Sequence, residues 1–215
     1  MRQYVSLRSI VLCALLLASS CAAQSNHREA AFVSARAGGL VSSLDGFENI
    51  YNSRLGFAPG IGVGVPVWRQ LYLVVDATYF SKEGRYIWAL PTFVSPGALN
   101  FRQWIFSAGA QYDLNVSDVY SLDASVGLAY SAASEVFHYV SSASESGPNA
   151  GTAKYTAGAV AGYFGALSIE RAFRSSPVTI FAQVRYSFTQ MIILGMTGNG
   201  GGTDVSAGLR YYFKM

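Results

Sequence analysis

The residues that could do chemistry are few. The 215-residue chain has two histidines, His27 and His138, and two cysteines, Cys13 and Cys21. His138 stands in Val136-Phe137-His138-Tyr139, beside Glu135 and several serines. A general base needs such neighbours, but surface sequence supplies them often, and a bland surface histidine is the simpler reading. No His/Ser or His/Asp constellation falls at strand ends, and no histidine or cysteine pair offers a transition-metal ligand set. Gly198-Asn199-Gly200-Gly201-Gly202 is rich in glycine. No phosphate-binding lysine follows it and no helix opens after it, so it reads as a flexible loop. We therefore expect no catalytic residue, no cofactor and no metal. What remains is a set of charges, Arg36, Asp76, Asp123, Glu170, Arg185 and Arg210.

The rest of the chain is poor in charge. Hydrophobic residues make up 51% and charged residues 13%, about half the roughly 25% usual for a soluble domain. This excludes disorder, which needs low hydrophobicity and high charge. Fifteen basic residues against 12 acidic ones are too balanced for a nucleic-acid partner.

Residues 1–23 have the make-up of a secretory signal peptide. Arg2 and Arg8 precede nine apolar residues, Ile10 to Ala18, and Ala23 ends a small-residue stretch suited to cleavage. Cys21, in Leu17-Ala18-Ser19-Ser20-Cys21, leaves lipidation open as a second reading. Cleavage after Ala23 leaves one domain, 24–215, with no cysteine and no disulfide. No apolar run approaches the length of a transmembrane helix.

The period of that domain is two, the spacing of strands. Tyr120, Leu122, Ala124, Val126, Leu128 and Tyr130 share one face, while Ser121, Asp123, Ser125, Gly127 and Ala129 share the other. The same alternation places strands at Ile61–Val65, Leu71–Tyr79, Val178–Phe188 and Val205–Phe213. Weaker strands fall at about Ala31–Ser42 and Tyr155–Glu170, and a further one at Asn100–Asp113. In the last, Trp104, Phe106, Ala108, Ala110 and Tyr112 are assigned to the apolar face. Eight strands result, with short links at Pro66–Gln70, Leu114–Asp118 and Arg171–Ser176. Long links at Ser43–Leu55, Ser81–Ala98, Ala132–Thr152 and Met191–Gly201 alternate with them. Such alternation is the pattern of an up-and-down barrel in an outer membrane, with tight periplasmic turns and longer outer loops.

A soluble ligand-binding barrel in the periplasm would alternate too, with its apolar face inward. Its outer face would carry many Lys and Glu. Here the second face is largely Gly, Ala, Ser and Thr, as a narrow lumen requires. Trp68, Tyr112, Tyr120 and Phe213 near one end, and Tyr79, Tyr130, Tyr155 and Phe188 near the other, suit two interfacial belts.

The C-terminal Gly208-Leu209-Arg210-Tyr211-Tyr212-Phe213 resembles the signal that outer-membrane barrels present to the barrel assembly machinery, with Gly208, Tyr211 and Phe213 at its defining positions. The stretch Leu55 to Tyr86, with its glycine-rich strand and Tyr79-Phe80-Ser81-Lys82-Glu83-Gly84, resembles the second hairpin of the "porin family" outer-membrane β-barrel domain of Gram-negative bacteria. Gln183-Val184-Arg185-Tyr186-Ser187 resembles its seventh strand. The resemblance implies an all-β, eight-stranded antiparallel up-and-down transmembrane β-barrel in the bacterial outer membrane. It implies no single activity.

An eight-stranded barrel has an interior just filled by side chains, so no solute channel is expected. The reading is a non-enzymatic, monomeric barrel in outer-membrane lipid, structural or acting through its outer loops on an unidentified extracellular partner. The alternatives are the soluble periplasmic barrel and an outer-membrane lipid-modifying enzyme. Taking each strand's periplasmic end as zero, Asp76 should meet Arg36 and Arg185 at mid-depth, and Arg210 should meet Asp123 and Glu170 lower down. The apolar residues of two long links (Tyr86, Ile87, Trp88, Leu90 and Phe93; Val136, Phe137 and Tyr139) either form a contact surface or extend the strands beyond the bilayer.

Overall fold

A computed structural model describes residues 30–86, 97–141, 149–157, 160–173, 176–193 and 196–214. The expected signal peptide with Cys21, and the loop residues Ile87, Trp88, Leu90 and Phe93, lie outside these. The elements in chain order are β1 (Ala30–Leu44), α1 (Phe47–Tyr51), β2 (Leu55–Phe57), β3 (Gly60–Trp68), β4 (Leu71–Tyr86) and β5 (Gly97–Asn115). There follow β6 (Tyr120–Ser141), β7 (Asn149–Thr156), β8 (Val160–Ala172), β9 (Val178–Phe188), β10 (Gln190–Ile193) and β11 (Met196–Lys214).

Eight strands close a ring. β1, β3, β4, β5, β6, β8, β9 and β11 pair in that order, and β11 returns to β1 over Ala30↔Lys214 to Leu44↔Gly198. Every pairing is antiparallel. Closure leaves no free edge within the ring, which a strand in lipid requires because no water is there to satisfy its backbone. Among the described residues no helix is long and apolar enough to cross a membrane.

The pleat sends the apolar faces outward. Ile61, Val126, Leu128 and Leu167 are each 65–72% exposed on the wall, whereas Gln103, Ser107, Gln111 and Asp123 point inward and are buried. In β5, Trp104 and Phe106 face out and Gln103 faces in, which is the register assigned from the sequence.

Glycines in β3 make room for what the lumen holds. A Cβ on Gly60 would lie 2.8 Å from the Arg36 guanidinium carbon, and one on Gly64 would overlap the Phe32 ring. At Gly202, with φ +144°, a Cβ would collide with the Val41 carbonyl oxygen, beside the register shift between Ser42 and Ser43. Only glycine tolerates that backbone.

The structure corrects the reading of the long links. β4 runs on to Tyr86, β5 begins at Gly97 and β6 reaches Ser141. β7 pairs with the upper part of β6, β10 with the upper part of β11, and β2 with β1. Much of what alternation assigned to loops is therefore strand. Beyond the apolar band neither face need be apolar, so the ladder continues while the sequence signal fades. The weak strand at 155–170 is likewise two elements, β7 and β8, separated at Ala157, whose N–H donates to the Ala133 carbonyl. Ser43–Leu55 is no free loop, since its helix α1 buries Phe47 and Tyr51.

Candidate functional site

Viewed from the short-turn end upward, the lumen contains four layers. The lowest is aromatic. Phe32 on β1 packs against Tyr72 and Tyr212, with ring centroids 5.7 and 5.5 Å apart. Tyr72, Phe181 and Tyr212 belong to the face that alternation marked as the polar one, and they are buried.

The second layer is an ion-pair group. Arg210 donates to Asp123 Oδ2 at 2.5 Å and to Glu170 Oε2. Ser168 donates to the same Asp123 oxygen at 2.9 Å, and the Tyr212 hydroxyl donates to Glu170 Oε1 at 2.8 Å. The guanidinium lies 4.7 Å from the centroids of both Phe32 and Phe181. β6, β8 and β11 contribute one charge each, because their inward positions reach this depth together.

The third layer holds Asp76 on β4 between two arginines. Arg36 engages both carboxylate oxygens, one of them at 2.7 Å, and Arg185 reaches Oδ1 at 2.6 Å. Arg36 also donates to Thr78 at 2.6 Å, and Arg185 to Ser107. Arg185 stacks 4.3 Å from the Phe164 ring centroid. The six charges singled out in the sequence thus lie in these two groups, Asp76 with Arg36 and Arg185, and Arg210 with Asp123 and Glu170.

Sequence reasoning missed a seventh charge. Asp204 is buried, accepts from Ser206 at 2.7 Å, and is the ladder partner of Arg185. The signal was present, since Asp204 alternates with outward Val205 at the depth of Arg185. Between the two charged layers is a cavity of about 40 Å³ lined by Arg36, Asp76, Arg185 and Arg210 among others. It has room for a little water and no more.

The top layer closes the mouth. α1 folds into the barrel, where Phe47 and Tyr51 join Leu40, Phe80, Phe101 and Met191 in an apolar cluster. Phe47 stacks on Tyr51 at 4.3 Å and meets Phe101 edge-on at 5.2 Å. The Tyr51 hydroxyl donates to Glu135, which is fully buried and whose second carboxylate oxygen has no hydrogen-bond partner among the described residues. Beneath the cluster, Gln103 donates to Ser131 at 2.5 Å and to the Gly200 carbonyl.

Burial pushes the Glu135 carboxyl above the usual carboxylate range, and burial followed by Glu135 itself pushes the Tyr51 phenol up. A carboxyl whose pKa is higher folded than unfolded contributes its stability in full below the unfolded value. It loses that contribution as pH climbs through the folded value. Docking of α1 should therefore be tightest in acid and loosen as pH rises. A fluorophore on Asn49→Cys should show falling anisotropy with rising pH, and Glu135→Gln should abolish the trend. Persistence of the trend in Glu135→Gln would assign it to another group.

The arrangement suits holding charge in place rather than moving protons. Asp76, Asp123 and Glu170 are each bound to a guanidinium. Among the described residues no group of three or more His, Cys, Asp or Glu is placed to hold a metal ion. His27 lies outside the described residues, and His138 falls on β6. Gly208, Tyr211 and Phe213 lie on β11, the last two exposed on the wall.

No protein-family model matches the chain, and no curated protein matches it by sequence. Solved structures match over most of its length. Neisserial surface protein A (NspA) superposes with a TM-score of 0.59 at 18% identity, covering 85% of this chain and 97% of that one. The outer membrane protein OprG from Pseudomonas aeruginosa gives 0.55 at 10% identity, covering 88% and 98%. At such identities the likeness is one of fold.

Proposed function

We propose that this chain, which has the fold of the small eight-stranded outer-membrane β-barrels, is a sealed, non-enzymatic barrel that works from its long-connection end at the cell surface. The observation that carries the reading is how charge and apolar surface are distributed. Six lumen charges are paired with one another, the wall is apolar on its outside, and the apolar residues of α1 pack into the mouth. An interior so filled leaves no path for a solute. A wall with Leu128 72% exposed and Leu167 69% exposed suits lipid and would aggregate in water, which argues against the soluble periplasmic barrel.

Orientation follows from the connections. The turns between β3 and β4, β5 and β6, and β8 and β9 are short, and β1 begins at Ala30 and β11 ends at Lys214 on the same side. At the other end the β5–β6 ladder continues from Phe106↔Tyr130 to Leu99↔Phe137, about 20 Å along the strands. This raised end is the part that an extracellular partner can reach. The tight turns face the periplasm, as in bacterial barrels generally.

An epitope inserted near Ser144, between β6 and β7, should be labelled on intact cells. Labelling only after lysis would invert the topology and remove the surface role. Recovery of a partner with the intact barrel in detergent would then name what the raised end binds.

A further inference from the structure

One cation on the outside of the wall has no ion-pair partner among the described residues. Arg171 follows outward Leu167 and Ile169 on β8, and its ladder partners are Tyr120 on β6 and Ile180 on β9. All four neighbours are exposed apolar or aromatic side chains, and Arg171 itself is exposed. Its guanidinium carbon lies 5.9 Å from the centroid of the Tyr120 ring and 5.8 Å from that of Phe173. Among the described residues it enters no ion pair, although Asp118 is exposed in the neighbouring turn. The lumen arginines Arg36, Arg185 and Arg210 are, by contrast, inward and paired.

A guanidinium in a lipid-facing wall is costly unless it meets water or a counter-ion. Tyr120 and Phe173 belong to the aromatic belt at the short-turn end, the depth at which headgroups begin. There a lipid phosphate is the available anion, and the planar fork of arginine matches its oxygens two at a time. The two rings hold the side chain against the wall, which lowers the entropy lost on binding. The Tyr120 hydroxyl supplies a further donor at the rim of the same patch.

We propose that Arg171, held by Tyr120 and Phe173, binds the phosphate of a glycerophospholipid in the leaflet at the short-turn end. Assigning that leaflet to the periplasmic side rests on the orientation given above, whereas the binding itself does not depend on it.

The test uses the folded, delipidated barrel in detergent and counts bound lipid by native mass spectrometry. The probes are phosphatidylglycerol, diacylglycerol and lipid A. The wild type should retain phosphatidylglycerol in preference to the other two. Arg171→Gln should bind it about ten- to a hundredfold more weakly, the effect of losing charge-assisted hydrogen bonds. Arg171→Lys, with charge but no fork, should fall between them. Heat-modifiable migration on gels confirms that each variant is folded. Equal retention by Arg171→Gln, or equal binding of diacylglycerol, would overturn the site. Preference for lipid A would overturn the choice of leaflet lipid. Neither result would alter surface labelling near Ser144, so failure of the site and failure of the orientation are separable.

Discussion

Arg210→Met is expected to destabilise the barrel by about 3–5 kcal/mol, the usual effect of removing one partner from a buried ion-pair group. Arg210, Asp123 and Glu170 are each at most 4% exposed, and Arg210 is the cation that both carboxylates share. Its loss leaves two acids facing one another beneath Phe181 and above Phe32, with the Ser168 and Tyr212 hydroxyls among their donors. Urea unfolding of the refolded protein in detergent micelles reads the effect as a lowered midpoint. Adding Asp123→Asn and Glu170→Gln should recover most of the loss, because an uncharged group needs no counter-ion. A wild-type midpoint for Arg210→Met would mean that the lumen is hydrated and the cluster carries no stability.

Replacing Tyr211 and Phe213 together with Ser is expected to remove most of the folded barrel from the outer membrane while export continues. Both side chains lie on the outward face of β11, the strand that closes the ring against β1. As belt residues alone, each would contribute about 1.5–3 kcal/mol of buried apolar surface. Their absence would then lower the urea midpoint of a barrel that still inserts. As part of the signal read by the assembly machinery, they control insertion itself. Fractionating cells and scoring heat-modifiable protein in the outer membrane separates the two cases. An unchanged folded yield would leave Tyr211 and Phe213 as belt residues only.

The wall was legible in the sequence because a strand with lipid on one side must alternate. Tyr120 to Tyr130 on β6 shows that alternation along its whole length, and the facing of Val126 and Leu128 follows from it. The charged groups were legible for a related reason. With so few charges on the inward faces, depth along each strand nearly determined which could meet. Asp204 was passed over although it is directly opposite Arg185 in the ladder.

Other features leave little trace in a period-two pattern. Phe32, Phe164 and Phe181 occupy a face otherwise made of small and polar residues, because their rings cover the buried guanidinium groups of Arg210 and Arg185. α1 is a five-residue helix, too short for a helical period to register. Its Phe47 and Tyr51 are placed by the apolar mouth formed by Phe80 and Phe101 on β4 and β5. The upward extension of β4, β5 and β6 is sustained by backbone pairing, to which side-chain patterning is nearly blind.

Single-channel recording reads whether the barrel is sealed by its ion-pair groups and apolar mouth. The purified, refolded protein is added to a planar lipid bilayer and its insertion confirmed by heat-modifiable migration of the recovered sample. The inserted wild-type protein should stay electrically silent. Steady, reproducible conductance steps from the wild-type barrel, of the size that a water-filled pore produces, would contradict it.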